Sequence, residues 1–271
     1  MGTGPLVLLV HGFPQFWWAW RHQMTPLAEA GYRVCAVDLR GFGASDKPPG
    51  GYDATTMTDD LAAVIRSLGA DQAVIVGHGI GAWLAWCMPA LQPTVTRAIA
   101  TLSMPHPRVF ARASLRHPRQ RRANTYIRAL QVPFAPERQL AAGGRVTELL
   151  RAWSGPDRSW LTPEVLERYE DILGLPFSPQ AAAEFYRWLA RVRVRPDGWA
   201  LMRRISTPID VPVLQLHGSR DRAVVSGLAN ESAPFVDGPL RLVTLSGVGH
   251  FLPEEAPDKV TGHLLEWLPT V

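Results

Sequence analysis

Lysine and cysteine are almost missing from this chain of 271 residues. Only Lys47 and Lys259 are lysines among 28 basic residues, a scarcity that reads as GC-rich codon usage rather than chemistry. Cys35 and Cys87 are the two cysteines, and each sits in an apolar stretch where a reduced, buried thiol is the commoner outcome. A small disulfide-stapled scaffold is excluded, and a reducing cytoplasm is expected. Long hydrophobic runs are missing too: residues 5–10 make up about a third of a membrane span and carry no basic flank or small-residue cleavage site. No membrane partner and no targeting signal are expected. Internal repeats and low-complexity tracts are also lacking.

What is present suits one large core, with 46% hydrophobic and 19% charged residues. The charge is uneven: residues 105–207 hold 18 Arg against 9 acids, and the remainder is acidic. Arg108, Arg112, Arg116, Arg119, Arg121 and Arg122 could suggest nucleic acid, but no base-stacking or groove-reading motif accompanies them. The spacing fits a solvated helix face.

Short apolar, β-branched runs at 5–10, 33–38, 73–76, 97–102, 213–217 and 240–245 precede turns, with helical patterns at 17–30, 56–68, 80–91 and 253–268. This alternation predicts an α/β fold with a mostly parallel sheet. Between 105 and 207 the strand signal vanishes, and helical stretches are separated by Pro133, Pro136, Pro156, Pro163, Pro176 and Pro179. The expected organisation is a core of 1–104 and 208–271 interrupted by a helical insertion at 105–207.

In open α/β sheets reactive groups gather beyond the carboxyl ends of the strands. Residues 73–76 lead into Gly77-His78-Gly79-Ile80-Gly81 and then an apolar helix, the pattern of a sharp nucleophile elbow. Asp221 follows the strand at 213–217 and His250 the strand at 240–245. Nucleophile, acid and histidine in that order is the order of an α/β-hydrolase triad. The elbow centre, however, is Gly79. A dinucleotide turn is the rival for the glycines, but no strand with a terminal acid follows at the expected distance. Before the first helix, His11-Gly12-Phe13-Pro14 lies where one oxyanion-hole N–H is expected from Phe13, with Ile80 supplying the second. A cis Phe13-Pro14 bond suits that turn.

These motifs resemble the α/β-hydrolase superfamily and, within it, the epoxide hydrolases. The resemblance spans essentially the whole chain through HGFPQFWWAWR, DLRGFGASDKP, GHGIGAWLAW and GVGHFLPEEAP. The insertion resembles their helical cap, with Tyr126 in a Y-x-x-x-x-Q-x-P context ending at Pro133 and Tyr186 within Phe185-Tyr186-Arg187. The resemblance implies conversion of a small apolar epoxide to a vicinal diol without metal or cofactor, by a monomer or homodimer. His250 would be the base, Asp221 its orienter, and the two tyrosines donors to the opening ring oxygen. Pro14, Trp17, Trp18, Phe134 and Trp188 would line an apolar pocket.

Two departures stand out. Epoxide hydrolases carry Asp where this chain has Gly79, so the covalent ester route is closed and an inactive or strongly impaired form is expected. His78 points elsewhere on the elbow and is no substitute, and Ser45 or Asp46 would need a different geometry. Only four residues precede the first run, where relatives have two further strands; a truncated start or an unusually exposed sheet edge is expected. The alternatives are a non-catalytic ligand-binding homologue and, further off, a dehalogenase-type scaffold, whose elbow-helix arginines are replaced by Ala82 and Trp83.

Overall fold

Strands that are apolar at every position are those buried on both faces, as parallel sheets require. The structure, a computed structural model describing residues 1–192 and 194–271, follows that rule. Strand β1 (Leu6–Val10) is buried throughout, as are β3 (Ala73–His78) and β5 (Val213–Gly218). Alternation sends Leu6, Leu8 and Val10 into one core with Ile75, Ile99 and Val213. Val7 and Leu9 enter a second core with Val74, Val76 and Leu214.

With β2 (Arg33–Val37), β4 (Thr96–Leu102) and β6 (Leu240–Leu245), six strands of the described residues form one parallel sheet in the order β2-β1-β3-β4-β5-β6. The chain crosses over at β1, which pairs with β2 on one side and β3 on the other, Val10 lying opposite Gly77. Such a switch point opens a crevice at the strand ends. The turns after β1 and β3 therefore meet.

Helices cover both faces. Leu27 of α1 (Arg21–Glu29) and Val260 and Leu264 of α13 (Pro257–Trp267) fill the second core. Met57 and Leu61 of α2 (Ala54–Ser67) and Trp83 of α3 (Ile80–Leu91) fill the first. The Asp53 carboxylate caps α2 by accepting from Thr56 N–H at 3.0 Å. Two expected helices are broken. The 17–30 pattern opens as a 3-10 turn (Trp17–Trp20) before α1, and the 253–268 pattern divides into α12 (Leu252–Glu255) and α13. Pro257 cannot donate to the helix and starts a new one.

Between β4 and β5 run α4 (Pro107–Arg116), α5 (Pro118–Ala123), α6 (Thr125–Ala129), α7 (Ala135–Ala141), α8 (Arg145–Trp153), α9 (Pro163–Gly174), α10 (Ser178–Arg191) and α11 (Pro196–Arg204). Proline stands in the first turn of most of them, where its missing N–H costs nothing. Phe110, Ile127, Leu140, Leu150 and Phe185 from this segment extend the first core. The six arginines at 108–122 are exposed, as a solvated helix face demands. Cys87 is buried and Cys35 half-buried, both free. Among the described residues no helix is long and apolar enough to cross a membrane.

Arg187 ties this helical segment together. Its guanidinium donates to Leu130 O (3.0 Å) and Val132 O (2.9 Å) and pairs with Glu137 (2.7 Å) and Glu184 (2.8 Å). Arg187→Met leaves the Glu137 carboxylate buried without its cation, which costs about 3 kcal/mol. Urea unfolding should register that loss, and a change under about 1 kcal/mol would show that apolar contacts alone hold the segment.

Candidate active site

The elbow between β3 and α3 is built on close backbone approach. A Cβ on Gly77 would lie 2.2 Å from Gly81 O, and one on Gly81 would lie 2.2 Å from Val10 O. Only glycine lets the turn press against β1. At its apex Gly79 has φ 53° and ψ −113°, a conformation that strains any L side chain. A Cβ there would meet only Gly12 Cα and His250 Nε2, each at 3.5 Å. The apex thus has room for a side chain and faces His250.

His250 is 4% exposed and is held on every side. Its Nδ1 donates to Asp221 Oδ2 at 2.8 Å, which leaves Nε2 as the basic nitrogen of the neutral ring. Its N–H donates to Trp153 O (3.0 Å). Its carbonyl accepts from His78 Nε2 (2.8 Å) and Ser103 Oγ (2.6 Å). Burial, with His250 nearby, holds the His78 pKa down at about 3, so this ring is a neutral strut. Glu255 accepts the N–H groups of Gly249, Phe251 and Gly155 at 2.8–2.9 Å. The histidine turn is thereby pinned to the segment after α8.

Asp221 is fully buried. Burial alone would raise its pKa, but the adjacent His250 and the bonds from His217 and His250 hold it well below the usual carboxylate range. Oδ1 accepts Ala223 and Val224 N–H, each at 2.8 Å, and Oδ2 also lies 3.2 Å from His217 Nε2.

Opposite the elbow stand Tyr126 and Tyr186, ring centroids 5.2 Å apart and nearly perpendicular. Their hydroxyls are electrostatically coupled. Burial pushes both pKa values up, well above the ordinary phenol range. Gln131 of the first tyrosine motif donates to Ile127 O (3.0 Å) and to Tyr186 O (3.2 Å), joining the two motifs. Phe13 packs on Tyr186 and Trp153 on Tyr126. The Phe13-Pro14 bond is cis, and neither Phe13 N–H nor Ile80 N–H has an acceptor among the described residues. His11 braces this turn: its Nδ1 donates to Gly12 O (2.9 Å) and its Nε2 accepts Leu39 N–H (3.0 Å).

Gly79, Phe13, Ile80, Tyr126, Tyr186 and His250 share one cavity of about 20 Å³, closed by Trp83, Phe110, Trp153 and Phe185. It has room for a water or a molecule of very few heavy atoms. A cavity of about 570 Å³ adjoins through Trp83, Phe110 and Leu189. The chemical groups belong to the small one.

The expected pocket aromatics are not brought together here. Trp17 is 38% and Phe134 73% exposed. Trp18 stacks on Phe16 beneath the Arg21 guanidinium, and Trp188 packs on the far side of Trp83 and Phe185. Pro14 is buried in the cis turn but does not line the cavity. The real walls, Trp153, Phe110 and Phe185, come from helices distant in sequence and carry no local motif beyond 3.6-residue periodicity. Ser103, whose φ of 60° makes it a strained residue just after β4, left no mark either, because such strain is invisible in sequence.

A family model described as the alpha/beta hydrolase fold matches residues 5–257. The chain belongs to that family. Within it, epoxide hydrolase A of Mycobacterium tuberculosis is 32% identical over 300 residues, covering 97% of this chain and 90% of that protein. The AB hydrolase superfamily protein YfhM of Bacillus subtilis is 32% identical over 268 residues, covering 98% and 90%. The solved structure of an epoxide hydrolase from an endophytic Streptomyces superposes with a TM-score of 0.84 at 29% identity, covering 99% and 90%. The chain is thus an α/β hydrolase resembling epoxide hydrolases.

Gly79 bears on stability. An Asp at φ 53° would carry roughly 1–3 kcal/mol of strain and would be desolvated beneath the tyrosines. Glycine gives back about 0.5–1 kcal/mol in unfolded-chain entropy. The chain should therefore match, or exceed by up to about 2 kcal/mol, the stability of Gly79→Asp. A clearly higher urea midpoint for the Asp form at unchanged m-value would contradict this.

Proposed function

We propose that this chain carries the epoxide hydrolase site with its nucleophile replaced by glycine. The helices between β4 and β5 are its cap. Supporting this is one juxtaposition: His250 Nε2 stands 3.5 Å from where a Gly79 side chain would begin, and the Tyr126 and Tyr186 phenols close the same cavity. Relatives named epoxide hydrolases align along nearly the whole chain.

Each group has a role that follows from its placement. Opening an epoxide develops an alkoxide, and two O–H donors stabilise it and deliver a proton. In the resembling enzymes a carboxylate at the elbow forms an ester, which the histidine then hydrolyses through water. Here His250, oriented by Asp221, is the base. Phe13 and Ile80 N–H groups are the oxyanion donors. Without a nucleophile the chain keeps only binding and slow attack by a His250-activated water. The substrate is a small apolar epoxide, because the walls are aromatic and aliphatic.

Restoring the carboxylate is the direct test. Gly79→Asp should raise diol formation from styrene oxide by several orders of magnitude, up to about a million-fold, and His250→Ala in that background should leave the ester uncleaved. If Gly79→Asp turns over haloalkanes and no epoxide, the reading falls.

The phenols also set a pH profile. Because burial raises both tyrosine pKa values, they stay protonated donors throughout the range in which free phenols begin to ionise, near pH 10. Diol formation by Gly79→Asp should show no alkaline decline below about pH 10. A decline between about pH 8 and 9 would remove the tyrosines as the proton donors.

A further inference from the structure

Replacing a side chain by glycine removes the reactive atoms but leaves the groups that held them. At Gly79 a built Cβ would make only ordinary van der Waals contacts, with Gly12 Cα and His250 Nε2. Around that point three polar groups lack partners among the described residues: Phe13 N–H, Ile80 N–H and His250 Nε2. The Ile80 amide opens α3, a helix of twelve residues, whose amino end favours negative charge. The His250 side chain is 5% exposed and fixed through Nδ1 on Asp221, so Nε2 cannot turn away to find another partner. The cavity they share is about 20 Å³, enough for a molecule of very few heavy atoms.

We propose that the space beside Gly79 binds a small carboxylate, formate in size, which supplies the attacking oxygen that the chain itself lacks. This rests on the epoxide reading above. A carboxylate oxygen attacks an epoxide carbon, the ring C–O bond breaks, and its electron pair goes to the ring oxygen, which takes a proton from a tyrosine hydroxyl. The phenolate takes a proton from water, leaving hydroxide. The product is a hydroxy ester. His250 Nε2 then takes a proton from water, the hydroxide oxygen adds to the ester carbonyl, and the intermediate collapses with release of the diol oxygen, which takes the proton back from His250. The carboxylic acid released gives its proton to the hydroxide left at the phenolate step, so the carboxylate is regenerated and the net reaction is epoxide plus water to diol.

The consequence is an isotopic signature. The ester is cleaved at its acyl carbon, so the diol keeps one oxygen that came from the carboxylate. The full-length chain is incubated with styrene oxide and [18O]formate at constant ionic strength, and the diol is analysed by mass spectrometry. Saturable activation of at least about tenfold is expected, because a held carboxylate recovers part of the proximity advantage, with label in the diol. Acetate should be weaker and benzoate without effect. His250→Ala should accumulate the hydroxy formate ester.

Two controls separate this inference from the reading beneath it. If Gly79→Asp hydrolyses the epoxide while formate neither accelerates the native chain nor labels its diol, the carboxylate site is overturned and the epoxide reading stands. If Gly79→Asp folds and turns over no epoxide, the epoxide reading falls, and calorimetry with formate alone decides the site. Heat in the native chain that disappears in Gly79→Asp, whose own carboxylate fills the space, supports it. No heat in the native chain overturns it.

Discussion

A carboxylate with no exposed surface survives as an anion only when every lone-pair direction is answered, and Asp221 meets that condition. Two backbone N–H groups take Oδ1, and two imidazoles approach Oδ2. The geometry of the rest of the site follows from it. His250 can present Nε2 to the elbow only because Nδ1 is committed to this anion, and the commitment holds only because the 221–224 turn supplies the amides. Charge burial here is therefore tied to a specific backbone shape at the end of β5. The shape in turn depends on the parallel pairing of β5 with β4 and β6.

The histidine turn answers to a second set of constraints. Its carbonyl is shared by His78 and Ser103, which lie at the ends of adjacent strands β3 and β4, and its flanking amides are taken by Glu255. His78, beside the elbow apex, thus serves the last motif of the chain rather than the first. That explains why it persists as a neutral, buried ring next to a position that carries no nucleophile. Its loss would leave that carbonyl to Ser103 and the Leu252 N–H and loosen the histidine turn, although it touches nothing that reacts.

Much of this could be read before any coordinates. Continuous apolar runs announced β1, β3 and β5, because a parallel strand buried on both faces has no polar alternation to hide it, while β2 and β6 at the sheet edges are only partly buried and were legible from β-branched residues alone. Gly77 and Gly81 announced a forced approach of backbones. The tyrosine contexts were legible because each carries a polar residue that binds main-chain carbonyls of the other segment, Gln131 that of Tyr186 and Arg187 those of Leu130 and Val132. What could not be read is contact between distant segments. His217 looks like an ordinary strand residue until β5 sets it beside Asp221, and Trp153 looks like one more helical apolar residue until the chain folds it over His250. Trp17 and Phe134 misled for the converse reason, since aromatic residues next to a motif suggest a wall, while their exposure was decided by the packing of Trp18, Tyr169 and the turn before α7.

The paired phenols give the last step. Tyr126 and Tyr186 stand ring against ring in the closed cavity, and their hydroxyls are electrostatically coupled. A neutral ether oxygen makes only ordinary hydrogen bonds with such donors, and ground-state binding gains little. An oxygen acquiring negative charge takes both O–H groups at once, through stronger charge-assisted bonds. In the epoxide reading proposed above, the arrangement discriminates by charge rather than by shape and stabilises the opening ring more than the closed one. That preference is independent of what attacks the carbon and of the residue at Gly79. In that reading, the attacking oxygen, and not the stabilisation of the leaving one, is what the chain must find elsewhere.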